Sequence, residues 1–173
     1  MDLTQLANLG EFIGGVAVLV TLIYLAVQVR QSNQLAFLSA THSMQDSYNH
    51  IVDQWYGDLE KTKVIKSGLR LGLQSGPEME EEERMRFSVQ LHSLYGWIES
   101  VYYHGEAGQI ESALANRGLS LLKIYGQSPG VQLWWEGNLR TLDGFPSFGA
   151  AQFTLEFVKF AERNSDLRGA GTS

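Results

Sequence analysis

Hydrophobic residues concentrate in one run near the start of the chain. The run is Phe12–Val29, FIGGVAVLVTLIYLAVQV, 18 residues in which only Thr21 and Gln28 are clearly polar. Extended back to Leu9 it has 21 residues, and a helix of that length rises roughly 31 Å, close to the thickness of the hydrocarbon layer. A helix that is apolar on every side has no face for water. We therefore predict an N-terminal transmembrane anchor, residues 1–31.

Two other interpretations of this run compete with the anchor. A cleaved signal peptide needs a positively charged start and a small-residue cleavage site after the run. The first 29 residues carry only Asp2 and Glu11 as charges, and no such site follows. A buried helix of a soluble protein is the other alternative, because it too is apolar all round. Length and charge favour the anchor over both.

The charge asymmetry also predicts an orientation. All 13 Lys and Arg residues lie at or after Arg30, and the positively charged flank of a span prefers the cytoplasm. We expect a single-pass protein of the bacterial inner membrane, with its N-terminus outside and its soluble domain in the cytoplasm.

The outer end of the anchor carries small residues. Gly10 and Gly14 form a GxxxG pattern, and Gly15 adds a third glycine. Small residues let helix backbones approach closely in lipid, so these three positions are candidates for helix packing. Glu11 lies among them, where it could sit at the interface, cap the helix start, or face a shared axis and form the mouth of a cation pore.

After Arg30 the apolar residues follow helical spacing. Intervals of mostly three or four separate Leu35, Leu38, Met44, Tyr48, Ile51, Val52 and Trp55, which indicates that the anchor continues into the first helix of the domain. Asp58 is a suitable cap for a short helix after it. Residues 32–168 are predicted to form the soluble domain, and the small, polar residues 169–173 a flexible tail.

Start and stop signals divide the rest of the domain into four more helices. The sequence Ser75-Gly-Pro-Glu78 predicts a capped start with the following acids in the first turn, and that helix should end near Gly105–Gly108. Further helices are predicted at Ile110–Tyr125, at Val131–Leu142 after the Ser-Pro cap, and from about Ser147 to Arg163. No stretch alternates as a strand does. The predicted fold is all-α: one transmembrane helix followed by an irregular bundle of about five or six helices.

Composition and motifs limit the partners and the kinds of catalytic site that the chain could have. The net charge of -6 and the scattered basic residues speak against nucleic acid as a partner. The chain has no Cys, which excludes disulfides and thiolate chemistry. The four His residues belong to no HExxH or Glu-x-x-His pattern, and no nucleophile, phosphate-loop or dinucleotide motif occurs. We therefore predict no catalytic residues, metal ligands or cofactor.

Aromatic residues are the remaining candidates for a functional surface. Trp97, the pair Tyr102 and Tyr103, and the pair Trp134 and Trp135 lie on predicted helices. Neighbouring helical positions point about 100° apart, so one member of each pair could pack in the core while the other contacts a partner, a ligand or lipid. Core packing is the simpler interpretation, and a partner or ligand surface is the functional one.

Several segments are similar to a known group of proteins. The N-terminal segment 6–33, LANLGEFIGGVAVLVTLIYLAVQVRQSN, resembles the anchor of a family of uncharacterised bacterial single-span membrane proteins. Glu81–Phe87, Glu99–Tyr103, Pro129–Trp135 and Phe153–Phe157 are similar to the same family in the same order. The resemblance implies a bacterial source and a one-helix anchor with a helical soluble domain. It implies no activity and transfers no catalytic residue.

Three functional hypotheses follow. The first is a non-enzymatic, membrane-anchored interaction protein, which self-assembles or serves as an accessory subunit of a membrane complex. Its partners are the lipid bilayer and itself or other membrane proteins. The second is a homo-oligomeric ion channel with Glu11 at the pore mouth. The third is a membrane-tethered small-ligand sensor or enzyme with a pocket among the aromatic residues.

Overall fold

A computed structural model describes residues 2–73, 78–139 and 149–168, with the backbone alone described at Gln5 and Leu6. All regular structure in these ranges is helical, which confirms the predicted all-α class. The helices are α1 (Leu3–Tyr56), α2 (Leu59–Leu69), α3 (Glu81–Glu106), α4 (Ser112–Gly126), α5 (Pro129–Trp135) and α6 (Leu155–Asn164). A 3-10 turn, Ala150–Gln152, precedes α6.

The chain divides into two compact units, Met1–Ser39 and Ala40–Ser173. The division falls within α1 and beyond residue 31, where the sequence predicts the end of the anchor. The last part of α1, from Ala40 to Tyr56, therefore belongs to the second unit. The expected continuation of the anchor helix into the domain agrees with the bounds of α1.

Helix α3 is the centre of the second unit. Its buried positions Phe87, Leu91, Leu94, Ile98 and Val101 recur at three- and four-residue intervals, which places them on one face of the helix, and Tyr95 and Trp97 widen that face. α2 and α4 pack against it, α5 packs on both α2 and α4, and α6 packs on α4. The largest fully buried side chains come from α1, α3, α5 and α6: Trp55, Trp134, Trp135, Tyr95, Phe87 and Phe157.

Side-chain hydrogen bonds cap the starts of α2 and α3. The Asp58 carboxylate accepts a hydrogen bond of 2.8 Å from the Lys61 N–H, which confirms the predicted cap of α2. This bond lowers the pKa of Asp58, because it favours the charged carboxylate. Helix α3 begins at Glu81 and not directly after Ser75, as predicted, because residues 78–80 are not helical and a reciprocal capping box between Glu80 and Glu83 sets the start. The predicted cap residues 75–77 lie outside the described residues.

Helices α5 and α6 are both shorter in the structure than the sequence predicts. Helix α5 ends at Trp135, whereas Val131–Leu142 was expected to be helical. The cause is Gly137, which adopts a φ of 75° and so turns the chain out of the right-handed helix. The last helix begins at Leu155 rather than near residue 147, because Thr154 caps it; residues 140–148 lie outside the described part of the chain.

A close contact between α2 and α5 generates the first prediction. A Cβ atom at Gly130 would overlap the carbonyl oxygen of Gly68, whereas a Cβ at Gly96 in α3 would meet nothing within 4 Å. Gly130→Ala should lower the free energy of unfolding by about 2 kcal/mol or more, because the two helices must separate. The matched control, Gly96→Ala, should raise it by about 0.5–1 kcal/mol.

Chemical unfolding of the full chain in detergent, followed by circular dichroism, measures both changes. Equal effects of the two substitutions would contradict the observed packing of α5 on α2.

Candidate functional site

The N-terminal part of α1 exposes its apolar residues on all sides. From Phe12 to Val29 every large hydrophobic side chain is between 44% and 70% exposed, with Val16 the least and Phe12 the most exposed. Of the described residues, only this helix is long and apolar enough to cross a membrane. The burial pattern differs from that of a core helix in a soluble protein, which would have most of this run covered.

The polar side chains of the run have partners within the same helix. Thr21 Oγ1 donates to the Ala17 carbonyl oxygen at 2.8 Å, and Gln28 Nε2 donates to the Tyr24 hydroxyl at 2.8 Å. Each bond joins residues four apart, which lie one above the other on a helix. Partners of this kind lower the cost of placing polar atoms in hydrocarbon.

The glycines predicted for helix packing lie on an open surface of α1. A Cβ at Gly10, Gly14 or Gly15 would meet nothing within 4 Å. Gly10 and Gly14 lie one above the other on the helix, and Glu11 and Gly15 form the adjacent row. Glu11 is exposed. The three glycines therefore leave the helix backbone uncovered at this end, with the Glu11 carboxylate beside it.

In the second unit, Trp97 holds the last part of α1. Its indole Nε1 donates to the Met44 carbonyl oxygen at 2.9 Å, and its ring packs on Tyr48 with centroids 5.0 Å apart. Arg117 from α4 donates to Gln45 Oε1 at 2.6 Å and lies over the Tyr48 ring. Trp97 is buried, so its role in the structure is to join α3 to α1.

Trp134 and Trp135 are buried in an aromatic cluster. Their ring centroids lie 5.2 and 5.4 Å from that of Tyr95, and Trp135 stacks on Phe153 at 5.8 Å. Trp134 Nε1 also donates to Ser88 Oγ at 3.0 Å. The structure thus places three of the five candidate surface aromatics, all tryptophans, in the core.

Tyr102 and Tyr103 remain accessible. Tyr102 is half-buried and Tyr103 is exposed, and their ring centroids are 5.0 Å apart. The Tyr103 hydroxyl lies 2.6 Å from Thr154 Oγ1. Glu99 Oε1 accepts from the backbone N–H of Thr154 at 2.9 Å and from its hydroxyl at 2.7 Å. Through these two hydrogen bonds Glu99 connects α3 to the start of α6.

A surface cavity lies beside Tyr102, between α3, α4 and α6. Its volume is about 240 Å³, and Val101, Tyr102, Leu119 and Phe160 provide much of its apolar lining. The sequence patterns point neither to Phe160 nor to the helix contacts that create this space. The signal available was the spacing of Phe157 and Phe160 after the Thr154 cap, but spacing does not show which helix they would meet.

The histidines do not form a candidate metal site among the described residues. Within those residues no group of three or more His, Asp and Glu side chains converges. His92 stacks on Phe153, and His104 Nδ1 lies 2.8 Å from Gln109 Oε1. These contacts give both rings a place in the packing of the domain.

Comparison of the chain with protein-family models, with curated proteins and with solved structures returned no match.

Tyr95 generates the second prediction. Its hydroxyl is buried without a hydrogen-bond partner among the described residues, and burial raises the pKa of Tyr95 far above its ordinary value, with the Tyr125 phenol adding to the rise. Tyr95→Phe should therefore raise the free energy of unfolding at pH 7 by about 1 kcal/mol, because it removes an unpaired polar atom from the core.

The same substitution should change the alkaline pH dependence. Below about pH 10 the Tyr95 phenol is neutral in the folded and the unfolded chain, so its ionisation does not affect the free energy of unfolding. Above that pH the phenol ionises in the unfolded chain while it keeps its proton in the folded one, which favours unfolding. The wild type should therefore lose up to roughly 1 kcal/mol more per pH unit than Tyr95→Phe as pH rises above 10. Denaturant unfolding between pH 7 and 11 measures this, and parallel curves would contradict it.

Proposed function

We propose that the chain is a single-span protein of the bacterial inner membrane whose cytoplasmic helical domain acts in protein interaction, not in catalysis. It self-assembles or serves as an accessory subunit of a membrane complex. The observation that carries the proposal is the exposed apolar surface of α1 from Phe12 to Val29. This surface has the length of a bilayer span and lacks a polar face.

The energetics favour the bilayer as the surrounding of this run. A large apolar side chain contributes roughly 1.5–3 kcal/mol when it leaves water, so the whole run supplies on the order of 20 kcal/mol. The helix hydrogen-bonds its own backbone, as a chain in hydrocarbon must. The internal partners of Thr21 and Gln28 remove further polar cost.

The cytoplasmic placement of the domain is supported by charge. No Lys or Arg precedes Arg30, and 13 lie at or after it. Positive residues near a span favour the cytoplasmic side. The resemblance of segment 6–33 to anchors of bacterial single-span proteins supports the inner membrane.

Self-assembly is supported by the open glycine rows of α1. Gly10 and Gly14 would let a second helix approach closely, and dispersion contacts between close backbones drive association in lipid. Glu11 next to them would gain a partner or a shared polar surface in such an assembly. In a single helix without a neighbour, the Glu11 carboxylate would have to reach the membrane–water interface.

The mass of the intact assembly tests the proposal. The full chain is extracted with its native lipids and weighed by native mass spectrometry. We expect a multiple of 19.3 kDa, or a defined complex with other subunits, for the wild type. Gly14→Leu should shift a homo-oligomer to single chains because a branched side chain separates the helices.

Val16→Leu is the matched control, since Val16 lies on nearly the opposite face of the helix from Gly14. It should leave the mass unchanged. A wild type that weighs one chain, without other subunits, would overturn the interaction proposal.

A further inference from the structure

The cavity between α3, α4 and α6 is lined by small residues, aromatic rings and one carboxylate, a combination that suits one class of ligand. Small residues form part of its wall: Gly105 on α3, and Ala115 and Gly118 on α4. A Cβ at Gly118 would lie 2.9 Å from Val101 Cγ1, and one at Gly105 would lie 3.2 Å from the Ala115 Cβ. The two helices thus pack too closely for larger residues there, and the short side chains leave the space above them open.

Two aromatic rings form the opposite part of the wall. Tyr102 and Phe160 lie with centroids 4.3 Å apart at an interplanar angle of 30°. The Tyr102 ring also contacts Phe157 in the core, with centroids 6.1 Å apart. These contacts hold the phenol in place, so the cavity presents a preformed aromatic surface.

The charge that lines this cavity is negative. Among the described residues that line it, Glu106 is the only charged one, and Asn116 and the Tyr102 hydroxyl are the other polar groups. A second cavity shares Tyr102 and Phe160 and is lined by Glu156, Lys159 and Arg163. The basic residues line that second cavity, and Glu106 is the charged residue at the first.

The electrostatics of Tyr102 agree with this placement. Desolvation raises its pKa, and the carboxylates of Glu156 and Glu106 raise it further, while Arg163 acts in the opposite direction. The two carboxylates therefore act at the ring that borders both cavities. A carboxylate beside an aromatic face favours a cation.

We propose that this cavity binds a small organic cation with an apolar body, of the aryl-alkyl ammonium class. The apolar body packs on Leu119, Phe160 and the small residues, and the ammonium lies at the Glu106 carboxylate near the Tyr102 face. The volume of about 240 Å³ holds one small molecule and is below the range for drug-sized ligands. The site is independent of how the anchor assembles.

Calorimetry with charged and uncharged probes tests the proposal. The full chain in discs of zwitterionic lipid is titrated with 2-phenylethylammonium, 2-phenylethanol and phenylacetate, and the heats from empty discs are subtracted. We expect saturable binding of the ammonium, about fivefold weaker binding of the alcohol, and still weaker binding of the carboxylate.

Two substitutions locate the charge that selects the ligand. Glu106→Gln should weaken ammonium binding about fivefold and leave the alcohol unchanged. Glu81→Gln removes an equal charge from the same helix, roughly 37 Å away along its axis, and should change nothing. Circular dichroism checks that both variants keep their helix content.

Equal affinities for the three probes, an equal effect of the two substitutions, or no heat beyond that of empty discs would each overturn the proposal.

Discussion

A helix surface that nothing in the described chain covers is the constraint on which the rest of this structure depends. The run Phe12–Val29 exposes its large apolar residues all round, while the domain that follows is already filled with buried aromatic rings. The domain therefore needs no further apolar helix for its core. The chain has two kinds of surface that suit two solvents, hydrocarbon for the run and water for the acidic domain.

The contacts that organise the domain are made by residues of the second unit. Trp97 joins the end of α1 to α3, and Trp134 reaches Ser88 with its indole N–H, so each of these buried nitrogens has a partner. Glu99 fixes the start of α6. Buried polar groups with partners specify one arrangement of helices, which apolar contacts alone do less well. Aromatic contacts through Phe153 then connect α3, α5 and α6.

The sequence predicted the parts that depend on local signals. Apolar periodicity, the Asp58 cap and the glycines after α3 led to the helical class, to the approximate bounds of α2 and α4 and to the end of α3. The start of α3, the end of α5 and the start of α6 were predicted wrongly. Ser128-Pro129 marks where α5 opens, but the left-handed turn at Gly137 decides where it stops.

The candidate site was less accessible to sequence reasoning. Adjacent aromatic pairs predict that one member of each pair could face outward, yet both Trp134 and Trp135 are buried, because α5 is short and is enclosed on two sides. The cavity beside Tyr102 depends on the approach of Gly118 in α4 to Val101 in α3, and on Phe160 of α6, which comes from much later in the chain. Such distances follow from packing, and no local motif encodes them.

We propose that the run from Phe12 to Val29 crosses a membrane once. The chain has no Cys, so single-cysteine variants report cleanly on each end. Asp2→Cys and Ser120→Cys are expressed in bacteria, and spheroplasts are treated with a membrane-impermeant maleimide. A single span with a cytoplasmic domain predicts labelling of Asp2→Cys in intact spheroplasts and of Ser120→Cys only after lysis. Equal labelling of the two positions before lysis would contradict it.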